Sequence, residues 1–189
     1  MADAITTQKQ ELASLWIIKQ ALGQQGIKYQ TVDQLKNDAD GYKELTEIYP
    51  EVNELWLKGL VQQQITVRNH ILGGGHYTTF NRDGGFMDFI SNLVRTKFKI
   101  SKKDSWNPAD IWVIKNEQLT IEKIKNAVRG NHPTITELNN VMKRLWHDKE
   151  LKGISLKAVS GETALWEEVN LDDSLFEDKN SPPIFEIAG

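Results

Sequence analysis

The sequence contains no cysteine among its 189 residues. A disulfide framework, a cysteine-ligated zinc and a thiol nucleophile are therefore excluded, and the absence fits a reducing cytosol. No apolar run approaches the roughly 18 residues that a membrane span needs. Residues 1–10 are polar and do not have the pattern of a signal peptide. We therefore expect a soluble cytoplasmic protein that has no membrane partner.

The net charge of −3 conceals an uneven distribution of charge along the chain. Residues 1–89 have a net charge of −3, and residues 160–189 have a net charge of −7. Residues 90–159 contain 14 Lys and Arg against seven Asp and Glu, a net charge of +7. Such a basic middle suits a polyanionic partner, because basic side chains that neutralise phosphates drive nucleic-acid binding. The alternative is a solvated helical surface of mixed charge, and both interpretations stay open.

Apolar residues at helical spacing dominate the first hundred residues. Two glycine-rich breaks, at 73–75 and 84–85, interrupt them. Neither break fits a Walker or dinucleotide fingerprint, so we interpret both as loops. The predicted helices run to about Gly23, after Thr31, from Gly41 to Ile48, from Pro50 to about Leu72 and from Phe86 to Phe98.

The pattern changes after about residue 103. Residues 110–114 and 153–159 are short, apolar and rich in β-branched side chains, which predicts two buried strands, and residues 165–169 predict a third. Between the first two strands lie a helix over 119–128 and a further helix capped by Thr134 or Thr136, a connection long enough for a crossover. We therefore predict an α/β fold with a small mixed sheet, flanking helices and a large helical N-terminal portion.

Two charged residues lie in the predicted strands. Asp110 stands at the start of the first strand, and Lys157 lies inside the second. A buried lysine must be paired or neutralised, so this position is costly for structure alone. Because strand side chains alternate, Ser155 and Lys157 share one face. Purely structural roles stay open, with Asp110 capping a turn and Lys157 extending its ammonium group to solvent at a strand end.

The segments Pro-Ala-Asp-Ile-Trp-Val-Ile and Gly-Ile-Ser-Leu-Lys-Ala-Val resemble the motif strands of the PD-(D/E)XK nuclease superfamily, especially as found in uncharacterised bacteriophage proteins. In that superfamily a strand aspartate and a following (D/E)-x-K strand bind a divalent metal, usually with a glutamate from an earlier helix. Asp110 matches the aspartate and Lys157 the lysine. Glu11 is the best match to the glutamate, although a solvated position on the first helix would also explain it.

The resemblance implies a division of the chain into three parts. A helical portion over 1–103 would contribute the first core helix. A restriction-endonuclease-like α/β core would span 104–171, and an acidic tail would follow over 172–189.

Two departures from the family pattern bear on the metal. Ala109 separates the proline from Asp110, which is a minor change. Ser155 stands where the family usually has Asp or Glu, and a hydroxyl is a poorer ligand for a hard cation than a carboxylate. Three outcomes stay open: Glu11 supplies the missing charge, the metal affinity is lower, or the core is not catalytic.

The resemblance implies phosphodiester hydrolysis with Mg²⁺ or Mn²⁺. Glu11, Asp110 and the backbone carbonyl of Leu156 would hold the ion, with Ser155 as a weaker ligand. Lys157 would stabilise the developing charge or orient the attacking water. Basic residues that precede the Asp110 strand would contact phosphates: Lys97, Lys99, Lys102 and Lys103.

The sequence therefore predicts a metal-dependent nuclease or a nuclease-like nucleic-acid-binding protein, with DNA as the expected partner. The alternative is a non-catalytic phage assembly or virion protein, or a host-factor-binding protein, that uses a degenerate form of the same core. Its partner would be a phage or host protein. The expected location is the host cell cytoplasm, or the virion in the alternative case.

Overall fold

The computed structural model describes the chain as a mixed α/β protein with seven helices and five short strands in its described residues. The side chains of Ala4, Lys157 and the last two strands lie outside this description. Among the described helices, none combines the length and the apolar composition that a membrane span requires. The described residues are 4–26, 28–71, 75–101, 106–107, 109–157, 165–169 and 184–188.

The chain forms two compact units. Unit 1 consists of the described residues of 1–76, 156–166 and 187–189, and unit 2 consists of those of 77–155 and 167–186.

Unit 1 is built on four helices, of which the first packs along the fourth. Their apolar faces supply buried side chains such as Ile17, Leu22 and Leu60, each 0% exposed. Burial of this apolar area is the main stabilising contribution. The helices are α1 (Ala4–Leu22), α2 (Val32–Asn37), α3 (Ala39–Ile48) and α4 (Glu54–Ile71).

Short polar side chains set where these helices begin. Thr31 Oγ1 accepts from the Gln34 N–H and caps α2. Asn53 Oδ1 accepts from the Trp56 N–H at 3.0 Å, so α4 begins at Glu54. The prediction that Pro50 opens this helix is therefore wrong, because the cap comes three residues later.

Unit 2 combines strands with three helices. Thr134 and Glu137 form a capping box at the start of the last helix, and Asn116 caps the helix before it. The elements are β1 (Thr79–Asn81), α5 (Gly85–Phe98), β2 (Ile111–Ile114), α6 (Glu117–Ala127), α7 (Ile135–His147) and β3 (Leu151–Lys157), whose last two residues belong to unit 1.

The first three strands form an antiparallel sheet. Phe80 pairs with Val113 across β1 and β2, and Ile111 pairs with Ile154 across β2 and β3. Two helices, α6 and α7, connect β2 to β3 and pack on each other. The connection is long enough for a crossover, but β2 and β3 are antiparallel neighbours, so it is not one. The strands β4 (Leu165–Val169) and β5 (Ile184–Ala188) complete the strand order β1-β2-β3-β5-β4.

The core of unit 2 lies between the sheet and its helices. Trp112 and Ile114 of β2 and Leu151 of β3 share one face of the sheet, and each is at most 1% exposed. Residues from all three helices pack against them. These residues are Phe86, Met87, Ile90 and Val94 from α5, Ile124 from α6, and Leu138, Met142 and Leu145 from α7.

Candidate functional site

Asp110 and Ser155 lie beside each other where β2 begins. Asp110 directly precedes Ile111, Ser155 directly follows Ile154, and Ile111 pairs with Ile154, so the two residues are neighbours at this end of the strand pair. The Asp110 N–H donates to the Ile154 carbonyl at 2.9 Å, so the backbone pairing reaches Asp110. The Ser155 hydroxyl donates to Asp110 Oδ2, with an Oγ–Oδ2 distance of 3.4 Å. This distance is longer than that of an ordinary O–H···O hydrogen bond, so the interaction is weak.

The two side chains differ in burial. Ser155 is only 3% exposed, whereas Asp110 is half-buried and reaches solvent. Both lie on the face that carries Trp112 and Gly153, because side chains alternate along each strand. The carboxylate therefore lies at the edge of the core of unit 2, where a group from solvent can reach it.

A buried turn holds Asp110 in place. The Trp106 indole N–H donates to Asn139 Oδ1 on α7 at 3.0 Å. The Asn107 amide lies 3.0 Å from the sulfur of Met87 on α5, and its oxygen accepts from the Ala109 N–H at 3.3 Å. Side chains of two different helices thus anchor the segment immediately before β2.

Among the described residues, the buried lysine of β3 is Lys152. It is 4% exposed and donates to the Trp146 carbonyl at 2.6 Å, at the end of α7. Its ammonium also lies 3.3 Å from the centroid of the Trp146 ring. A cation at a helix C-terminus and over an aromatic face is satisfied, so we assign this lysine a structural role.

The other predicted metal ligands and the predicted lysine lie in unit 1. Glu11 is half-buried on α1. Leu156 and Lys157 are the last two residues of β3, and the Lys157 side chain lies outside the described residues. The joint action of Glu11, Asp110 and Lys157 therefore stays a prediction from the sequence.

The predicted phosphate-contacting lysines begin in the last turn of α5 and continue past its end. Lys97 and Lys99 are exposed, whereas Lys102 and Lys103 lie outside the described residues. Lys97 lies ten residues after Met87, the residue that contacts Asn107. About 15 Å of helix therefore separates Lys97 from Met87. Lys99 has a left-handed backbone (φ 61°) and ends α5, so it also has a structural role.

The glycine-rich loop before α5 also has a structural explanation. Asn81 Oδ1 accepts from the Phe86 N–H at 2.5 Å and so satisfies a free N–H group in the first turn of α5. Gly85 has a φ of 44°, and a Cβ at this position would collide with Asn81 Oδ1. The close approach of Asn81 therefore requires glycine here.

Three tryptophans of unit 2 belong to the core. Trp106 and Trp112 are 1% exposed, and Trp146 is 7% exposed. Stacking on a nucleobase needs an accessible ring face. These rings therefore have packing roles, which the strand and helix spacing of the sequence also indicates.

The donors of the candidate site match a hard cation in type. Asp110 offers a carboxylate and Ser155 a hydroxyl, and Mg²⁺ binds oxygen ligands while keeping several waters. Within the described residues, no group of three or more His, Cys, Asp or Glu side chains is placed to hold a metal ion. The two donors carry a single negative charge, so they fit magnesium in type but predict weak affinity unless a further carboxylate joins them.

Comparison with protein-family models, with curated proteins and with solved structures finds no significant match for this chain. The chemistry of the residues themselves therefore carries the functional inference.

Proposed function

We propose that this protein is a metal-dependent nuclease whose reactive centre lies at Asp110, where β2 begins. The observation that supports this most is the pairing of the two segments that resemble nuclease motifs. They form neighbouring strands, and Asp110 stands opposite Ser155, the residue at the family's second ligand position. A restriction-endonuclease-like core is the fold that this proposal implies.

Each residue has a distinct role in the proposed reaction. A magnesium ion bound by Asp110 would supply an activated water and would neutralise charge on the phosphate. Ser155 would hold one carboxylate oxygen of Asp110 in a fixed orientation. Glu11 and the Leu156 carbonyl are the proposed additional ligands, and Lys157 is proposed to stabilise the charge that develops on the phosphate oxygens.

The proposed substrate is nucleic acid, with DNA as the first substrate to test. Residues 90–159 carry a net charge of +7, and basic side chains such as Lys97, Lys125 and Arg144 are exposed. These charges would attract a polyanion through counterion release, so the binding would weaken steeply with salt.

A cleavage assay tests this function. Purified protein is incubated with single- and double-stranded DNA and RNA, in Mg²⁺ or Mn²⁺ and then with EDTA. We expect cleavage that EDTA abolishes and that Asp110→Asn lowers by at least about a hundredfold, since one essential charged group is lost while the shape stays the same. The matched control is Asp148→Asn, because Asp148 is exposed on unit 2 and should leave the rate unchanged.

Two results would contradict the proposed function. One is the absence of cleavage with every substrate and metal. The other is an Asp110→Asn protein that cleaves as fast as the wild type, because the activity would then come from another site or from a contaminant.

One observation favours a second function, that of a non-catalytic phage assembly, virion or host-factor-binding protein. Ser155 is almost fully buried and gives Asp110 a hydrogen-bond partner without any metal. A core that no longer needs a metal ion would tolerate such a residue. This function predicts neither cleavage nor metal binding, so the assay above and a metal titration separate the two.

A further inference from the structure

The turn that precedes Asp110 is anchored at three points. α7 holds Trp106 through Asn139, α5 holds Asn107 through Met87, and β3 holds the Asp110 N–H through the Ile154 carbonyl. The anchors therefore come from three different elements of unit 2. These anchors restrain the backbone from which the Asp110 side chain extends.

Asn139 is a polar residue at a position where a helix normally has an apolar one. It lies on the apolar face of α7, beside Leu138 and Met142, and is only 8% exposed. A polar side chain at such a position costs free energy unless its hydrogen bonds are made, and an apolar residue would fill the space without that cost. Asn139 meets this requirement by accepting the indole N–H of Trp106, which is itself 1% exposed.

We propose that Asn139 is a positioning residue for Asp110. It fixes Trp106 four residues before the carboxylate, and so limits the motion of the turn that carries Asp110. The importance of this role for catalysis rests on the proposed nuclease function, whereas the restraint itself is a property of the fold.

The test compares three substitutions on α7. Asn139→Leu removes the acceptor for Trp106, Asn139→Asp keeps an acceptor oxygen, and Asn140→Leu makes the same chemical change at the neighbouring exposed residue. The readout is the amide hydrogen-exchange rate of Asp110, divided by that of Val113 in the middle of β2. A uniform loss of stability accelerates the exchange of Val113 at least as much as that of Asp110 and so does not raise this ratio, but a loosened turn raises it.

We expect Asn139→Leu to raise the ratio about tenfold, the effect of losing one buried hydrogen bond. Asn139→Asp should restore the wild-type ratio, and Asn140→Leu should not change it. Trp106→Phe removes the N–H donor together with part of the buried ring and should also raise the ratio, which keeps the test decisive if Asn139→Leu does not fold. An unchanged ratio in Asn139→Leu or in Trp106→Phe would overturn the proposal.

The cleavage assay adds a second readout. In an active protein, Asn139→Leu should lower kcat and leave KM for the nucleic acid unchanged, because the reactive carboxylate is displaced while the binding surface is not. If the wild type does not cleave, the proposed function fails, but the exchange ratio still decides whether Asn139 restrains Asp110.

Discussion

Both units bury polar side chains, but they use them differently. In unit 1, Tyr29 donates its hydroxyl to Asp38 Oδ2 and its N–H to Gln64 Oε1, each at 2.5 Å. The Trp16 indole stacks on Tyr29 and donates to Glu44 at 2.9 Å. These contacts join the segment before α2 to α1, α3 and α4. In unit 2, the corresponding contacts gather around residues 106–110, immediately before a strand.

The difference shows what each set of polar contacts does. The contacts of unit 1 tie helices and a connecting segment together, so their loss should appear as lower stability. The contacts of unit 2 fix a half-buried carboxylate that reaches solvent, so their loss should appear mainly at the candidate site. The following substitutions test this contrast, in order of decreasing expected effect.

The largest expected effect is on the core of unit 2. Phe86 is 0% exposed and packs edge-on against Trp112, with ring centroids 5.5 Å apart. We expect Phe86→Ala to lower the free energy of unfolding by about 3–5 kcal/mol, measured by urea denaturation, because it leaves a cavity behind β2. Phe89→Ala, on the same helix but half-buried, is the control and should cost clearly less. Equal losses would mean that Phe86 does not occupy the core.

The second effect is on the pH dependence of stability in unit 1. The hydrogen bond from Tyr29, and then that from the Gly41 N–H, hold the pKa of Asp38 below its ordinary value of 3.8. Burial, together with the hydrogen bond to Asp38, raises the pKa of Tyr29 above its ordinary value of 10.0. The Asp38 contribution is therefore present above pH 3.8 and is lost as the pH falls below it. The Tyr29 contribution is present below pH 10.0 and is lost as the pH rises above it.

Tyr29→Phe removes the Tyr29 contribution and the larger part of the Asp38 contribution, while the hydrogen bond from the Gly41 N–H to Asp38 remains. At neutral pH, we expect it to lower the free energy of unfolding by about 1.5–3 kcal/mol, the usual range for a hydrogen bond to a charged group. The loss of stability above pH 10.0 and below pH 3.8 should become shallower in denaturation curves measured across the pH range. Tyr42→Phe, in the same unit but with a half-buried ring, is the control. A Tyr29→Phe protein with the wild-type pH dependence would contradict this explanation.

The smallest effect is at the start of α7, the helix that carries Asn139. Thr134→Ala removes the capping box and should lower the free energy of unfolding by about 1 kcal/mol. Thr136→Ala, inside the first turn and exposed, should have little effect. If the two variants are equally stable by thermal denaturation, the capping box does not form in solution.

The sequence was most informative where local patterns are strong. β-Branched apolar runs predicted β2 and β3, and the segment 165–169 was also predicted as a strand, which is β4. Capping residues predicted where α2 and α7 begin, and the helix predicted over 119–128 lies close to the observed bounds of α6. β1 was not predicted, because it has only three residues beside glycine-rich segments. β5 lies in a tail whose acidic composition concealed the short apolar segment Ile184–Ala188.

The candidate site was only partly predictable. The position of Asp110 at a strand start came from the local pattern, but its pairing with Ser155 depends on the strand register, which no local signal specifies. The sequence indicated a buried lysine in β3 at Lys157, whereas the buried lysine among the described residues is Lys152. Asn139 could have been identified from the sequence by its spacing. It lies four residues after Ile135 and three before Met142, which puts a polar side chain on an apolar helix face.

Direct measurement of metal binding tests the central claim, that Asp110 is the centre of a metal site. Mn²⁺ is titrated into the protein and free Mn²⁺ is followed by electron paramagnetic resonance, with wild type, Asp110→Asn, Ser155→Glu and the control Asp148→Asn. We predict saturable binding to the wild type that Asp110→Asn abolishes, that Ser155→Glu strengthens by adding a carboxylate, and that Asp148→Asn leaves unchanged. A wild type that binds no Mn²⁺, or an Asp110→Asn protein that binds it as tightly as the wild type, would contradict the claim.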